Sequence, residues 1–138
     1  MQDGDSAVQD TNCDAASCKA CCVRLGYYED KYVGLFSKSR ERKPPLINRG
    51  YWSRVTIVRD FVRHYIAAGK DTVGAGEKQV VVLGAGFDTT LLVLLEEGCF
   101  PGVIWELDFP EVIQLKEGRM GRSREIKELF RKRRVVWR

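Results

Sequence analysis

Gln79-Val80-Val81-Val82-Leu83 sets four apolar residues in a row, three of them β-branched, and stops at Gly84-Ala85-Gly86. A second apolar run, Leu91 to Leu95, begins just behind Asp88. A short β-branched run broken by glycines and followed by a longer apolar stretch predicts a buried parallel strand, a tight turn and a helix, with Asp88 as the helix cap. The pattern then repeats. Val103-Ile104-Trp105-Glu106-Leu107 predicts a second strand that ends in Asp108. Pro110 opens a further helix through Val112, Ile113 and Leu115.

Upstream the period is helical. Tyr51, Val55, Val58, Val62 and Tyr65 fall at steps of three and four, with Trp52, Phe61 and Ile66 beside them. They predict one broad apolar helix face, started by an Asn48 cap and ended at Gly69, with Arg49, Arg54, Arg59 and Arg63 off the stripe. Asn12 or Asp14 caps an earlier helix that Gly26 stops, and a short helix is expected from Asp30 to Phe36. Ser37 to Pro45 and Lys70 to Lys78 read as loops. The chain divides into a disordered stretch (1–10), a helical segment (11–78), a strand-helix-strand-helix unit (79–118) and a basic, helical tail (119–138). Val135-Val136-Trp137 offers a third strand.

Length and charge narrow this picture. A chain of 138 residues with 44% hydrophobic positions suits one globular domain. The net charge of +4 is placed unevenly, with Arg131-Lys132-Arg133-Arg134 and other bases gathered in the tail. That tail lacks aromatic interleaving until Trp137, so a solvated helical face fits it better than a nucleic-acid or membrane surface. No stretch is long and apolar enough to span a bilayer. The polar N-terminus and the odd count of five cysteines point to reduced thiols in the cytoplasm.

The chemistry gathers at the glycine turn. Glycines let a ligand approach the backbone, and the helix start beyond offers free N–H groups. Asp108 lies 22 positions past Gly86, near the spacing at which a second strand end meets a ribose hydroxyl. Thr89 stands where a dinucleotide fingerprint has its third glycine. A nucleoside-containing ligand is therefore one reading; a plain strand-turn-helix with a solvated acid is the other. Cys18-x-x-Cys21-Cys22 lacks the second ligand pair of a zinc site, so helix packing is expected and no metal. The single His64 has no nucleophile-elbow partner, which argues against triad chemistry.

Several stretches in order resemble the leucine carboxyl methyltransferase family: Val8-Gln9-Asp10-Thr11-Asn12, Cys18-Lys19, Gly26-Tyr27-Tyr28-Glu29-Asp30, Arg42 to Tyr51 with its Asn48-Arg49-Gly50-Tyr51, Leu83-Gly84-Ala85-Gly86-Phe87-Asp88-Thr89-Thr90, and Glu106-Leu107-Asp108-Phe109-Pro110. The likeness covers about residues 8 to 117 and fades after Gly118. It implies the N-terminal part of an α/β, Rossmann-like S-adenosylmethionine-dependent methyltransferase, preceded by a helical extension. It also implies methylation of the C-terminal leucine carboxylate of the type 2A protein phosphatase catalytic subunit, with S-adenosyl-L-methionine as cofactor. By the same resemblance Lys19 and Arg54 meet the cofactor's methionine carboxylate, Gly84 gives the backbone contact, Asp108 is the ribose acid, and Arg49 lies near the pocket.

No catalytic side chain is implied. A peptide α-carboxylate, with a pKa of about 3.3–3.7, is already ionised at neutral pH and needs no general base. Family members are about twice as long, so this chain is expected to be a truncated part that is inactive alone. The alternatives are a tRNA wybutosine-type carboxyl methyltransferase, which shares these N-terminal motifs, and a non-enzymatic fragment binding a partner through the basic tail.

Overall fold

The computed structural model describes residues 2–68, 78–99 and 102–133, with side chains from residue 11 onward. Six helices and two strands are found among them: α1 (Gln2–Arg24), α2 (Val33–Phe36), α3 (Pro45–Ala67), β1 (Lys78–Leu83), α4 (Thr90–Glu96), β2 (Gly102–Leu107), α5 (Pro110–Met120) and α6 (Arg124–Arg133). The strands pair in parallel, with Val80 opposite Ile104 and Leu83 opposite Leu107. The α/β fragment built on strand, turn, helix and strand is present as expected.

One face of this sheet is covered. Leu91 and Leu95 of α4 form a buried cluster with Ile104, and Val80 and Val82 of β1 and Leu129 and Phe130 of α6 pack against it. The basic tail, expected to be a solvated helical face, is thus amphipathic, with Ile126 of α6 fully buried. A neighbouring cluster joins Ala16, Phe36, Phe87, Leu92, Val112 and Met120, so α1, α2, α4 and α5 meet around the glycine turn. Phe36 and Phe87 stack with centroids 5.3 Å apart. Arg119 lies 4.5 Å over the Phe87 ring and donates to the Phe36 carbonyl at 2.8 Å.

The other sheet face is open. Val81, Leu83 and Leu107 are 55%, 79% and 50% exposed. β1, read as a buried strand, is therefore covered on one face only, because no described element lies over the second. The α3 stripe is corrected in the same way. Val55 and Ile66 are buried, but Trp52, Ile57, Phe61 and Tyr65 are exposed.

Helix boundaries moved where a cap was misassigned. α1 begins at Gln2, so the stretch expected to be disordered is helical, and Asn12 and Asp14 lie inside the helix instead of capping it. α3 starts at Pro45, whose missing N–H costs nothing in a first turn. Asn48 is therefore inside the helix, buried, and donates to the Lys43 carbonyl at 3.0 Å. α2 keeps only the end of its expected range, since Asp30 Oδ1 accepts the N–H groups of Tyr32 and Val33 ahead of it. α4 takes Thr89 as its N-cap, with Asp88 one position earlier accepting the Thr90 N–H at 2.7 Å. Gly26, at φ +76°, follows the end of α1 as expected. Gly69, residues 70–77 and the Val135-Val136-Trp137 strand lie outside the described residues.

The three clustered cysteines are packing groups. Cys18, Cys21 and Cys22 are buried on α1. The Cys22 thiol donates to the Asn48 carbonyl at 3.4 Å, joining α1 to α3, and burial pushes its pKa up to about 11. Among the described residues no group of three or more His, Cys, Asp or Glu is placed to hold a metal ion. His64 is exposed on α3.

Candidate cofactor site

The chain leaves β1 through two left-handed glycines, Gly84 at φ +64° and Gly86 at φ +48°. Between them Ala85 donates its N–H to the Leu107 carbonyl at 3.1 Å, which ties the turn to the end of β2. Asp108 completes the tie. Its Oδ2 accepts the Gly86 N–H at 2.6 Å, and its Oδ1 accepts the Phe109 N–H at 2.7 Å. Both bonds are charge-assisted and short, so the acid is fixed at the mouth of the turn.

α1 closes over the same turn. Asn12 Oδ1 accepts the Phe87 N–H at 2.7 Å. A Cβ on Gly86 would fall 2.7 Å from that oxygen, so the glycine is needed for close approach as well as for its dihedral. One helical stretch further on, Lys19 pairs with Asp88. Burial raises the Asp88 carboxyl, but Lys19 and the Thr90 bonds outweigh it, and the net position is below the ordinary carboxylate range. Asp88 is thus an anion at neutral pH.

A cavity of about 570 Å³ lies between α1, α3, the turn and the strand ends. Lys19, Arg54, Gly84 and Asp108 all line it, together with Asn12, Gly86 and Asp88. Its floor and walls are apolar, with Val55, Val58 and Val62 from α3 and Val80 and Val82 from β1. Arg49 is exposed on α3 and is not among the lining residues. A cavity at the carboxyl ends of parallel strands, mostly apolar with a few convergent polar groups, is where open α/β sheets take ligands.

Two buried networks support this site. Asp30 Oδ2 receives Arg59 at 2.6 Å and the Thr89 hydroxyl at 2.6 Å, joining α3 to the loop after the turn. Arg59 is therefore buried, a correction to its expected place among solvated arginines. Behind Asp108, Glu106 pairs with Lys116, both buried. Burial lifts the Glu106 carboxyl to about 7, against the pull of Lys116 and with the push of Asp88 and Asp108.

Sequence reasoning did not single out Asn12 or Asp88 as site residues. The signal available was their position: Asn12 in the Thr11-Asn12 pair and Asp88 directly behind the glycine turn.

Fold and site together define an α/β unit of the methyltransferase type, with a glycine turn and an acid at adjacent strand ends. Within that class the chain belongs to the leucine carboxyl methyltransferase family, whose family model matches residues 8–136. The match runs past Gly118, so the basic helix α6 is part of the family pattern, contrary to the sequence reading. The chain is 42% identical to a leucine carboxyl methyltransferase 1 homolog of Arabidopsis thaliana, over 89% of this chain and 36% of that protein. It is 37% identical to leucine carboxyl methyltransferase 1 of Rattus norvegicus, over 81% of this chain and 32% of the relative. It is also 36% identical to tRNA wybutosine-synthesizing protein 4 of Homo sapiens, over 87% of this chain and 18% of that protein. The chain thus spans about a third or less of these relatives.

Proposed function

We propose that this chain carries the cofactor-binding part of an S-adenosylmethionine-dependent carboxyl O-methyltransferase that acts on the C-terminal leucine carboxylate of the type 2A protein phosphatase catalytic subunit. One observation carries the reading: Lys19, Arg54, Gly84 and Asp108, separated by up to 89 positions, line one cavity. The residues fit the group. Asp108 already receives two N–H bonds, yet a carboxylate has about four acceptor positions, which leaves room for ribose hydroxyls. Lys19 and Arg54 bring positive charge for a carboxylate, and the glycine turn exposes backbone to a close ligand.

When bound, the cofactor supplies a methyl group on a positively charged sulfur. The chain's own residues hold and orient. Asp108 fixes the nucleoside end, Lys19 and Arg54 the amino-acid end, and the valines of α3 and β1 exclude water. The acceptor carboxylate is ionised without help, so positioning supplies the rate and no general base is assigned. No helix among the described residues is long and apolar enough to cross a membrane, and this reading assigns the enzyme to the cytoplasm with no nucleic-acid partner.

The second reading, a tRNA wybutosine-type methyltransferase, is favoured by the 36% identical human relative. A methyl-transfer assay with radiolabelled cofactor separates the two. Label is expected on the phosphatase catalytic subunit and lost when its terminal leucine is removed. Label on tRNA and none on the phosphatase would replace the first reading with the second. The 138-residue chain alone is expected to transfer no methyl, because it spans about a third of the Arabidopsis relative.

A further inference from the structure

The cavity holds opposite charges side by side at one end. Lys19 and Asp88 form an ion pair on its wall, and Arg54 lines the same space. Asp88 accepts from the Thr90 N–H and side chain and from Lys19, so about one of its acceptor positions is left, and a second opens when Lys19 turns to a ligand. It is part-exposed and anionic. A ligand carboxylate drawn to Lys19 and Arg54 would arrive next to this anion, at a cost unless it carries a positive group beside it.

We propose that Asp88 is a specificity-determining residue that receives the α-ammonium of the ligand, so that the cavity selects a zwitterionic amino-acid end rather than a carboxylate alone. This inference rests on the cofactor reading above. On binding, Lys19 exchanges its Asp88 partner for the ligand carboxylate, and Asp88 exchanges Lys19 for the ligand ammonium. Each charge keeps a partner, so the exchange leaves no buried charge unpaired.

The test is calorimetry on the purified protein with three ligands: S-adenosylhomocysteine, its deaminated analogue and its decarboxylated analogue. Wild type is expected to prefer the parent over the deaminated analogue by about tenfold or more, as for one charge-assisted hydrogen bond. Asp88→Asn keeps the Thr90 acceptor and is expected to reduce that ratio to within about threefold. Lys19→Met is expected to lower discrimination against the decarboxylated analogue and to leave the ammonium ratio in place. A wild-type ratio below threefold, which needs no variant, overturns the inference; so does an unchanged ratio in Asp88→Asn. In both cases S-adenosylhomocysteine still binds and the cofactor reading stands. Failure of wild type to bind S-adenosylhomocysteine at all would overturn both.

Discussion

Asp108→Asn probes the link between fold and cofactor at a single atom pair. The carboxylate makes two backbone bonds, to Gly86 N–H at 2.6 Å and to Phe109 N–H at 2.7 Å. The amide retains one oxygen, so one of those N–H groups must face an –NH₂ donor. The unpaired N–H costs about 1–3 kcal/mol of stability. Separately, the ligand loses a charged acceptor for its ribose hydroxyls, worth about 1.5–3 kcal/mol. That is a factor of about 10 to 150 in Kd. Thermal melts without ligand read the first effect. Calorimetric titration with S-adenosylhomocysteine, at a temperature where both proteins are folded, reads the second. A Kd within about threefold of wild type, from a variant whose melt is lowered as expected, would refute the assignment. It would mean that Asp108 serves only to close the turn.

Three further outcomes follow from the geometry. Gly86→Ala is expected to lower the melting temperature and the cofactor affinity more than Gly84→Ala. Both pay for a left-handed Ala, roughly 1–2 kcal/mol, but only the Gly86 Cβ meets Asn12, at 2.7 Å; equal losses in paired melts would refute this. Asp30→Ala is expected to cost about 3–5 kcal/mol in urea denaturation, because it strands the buried Arg59 guanidinium and the Thr89 hydroxyl, and a loss below 1 kcal/mol would contradict the network. Finally, the folded Glu106 carboxyl keeps its proton to about pH 7, whereas the unfolded one releases it near 4.5. The folded state then binds more protons across that window, so this group's contribution to stability falls as pH rises through it. Denaturation midpoints at pH 5 and pH 7.5 should therefore differ less in Glu106→Gln than in wild type, and an identical pH slope would exclude the effect.

Elements defined within about ten residues were legible in the sequence. The Val80–Leu83 run, the glycine turn and the Pro110 start each carry their own pattern, and the structure places each as read. The resemblance likewise named Lys19, Arg54, Gly84 and Asp108, which line one cavity. Contacts across the chain were not legible. Asn12 reaches Phe87 over 75 positions and Lys19 reaches Asp88 over 69, and neither pair has a local signature. Arg59 shows why charge misleads. Its helical spacing puts it among Arg54 and Arg63, and its burial rests on Asp30, the Glu29 carbonyl and the Tyr28 ring, about 30 positions earlier.

The apolar pattern misled in a different way. It marked Val80, Val81, Val82 and Leu83 alike, although alternate residues of a strand point to opposite faces. Val80 and Val82 meet the α4 leucines, while Val81 and Leu83 remain exposed. A continuous apolar run specifies a strand suited to two covered faces, but it does not specify what covers them. The cavity wall built from Val80 and Val82 therefore rests on Leu91 and Leu95 of α4 behind it and faces the α3 valines across the cavity. α6 lies within the matched family region, and its Leu129 and Phe130 pack on the same Leu91, Leu95 and Ile104 cluster that carries Val80 and Val82.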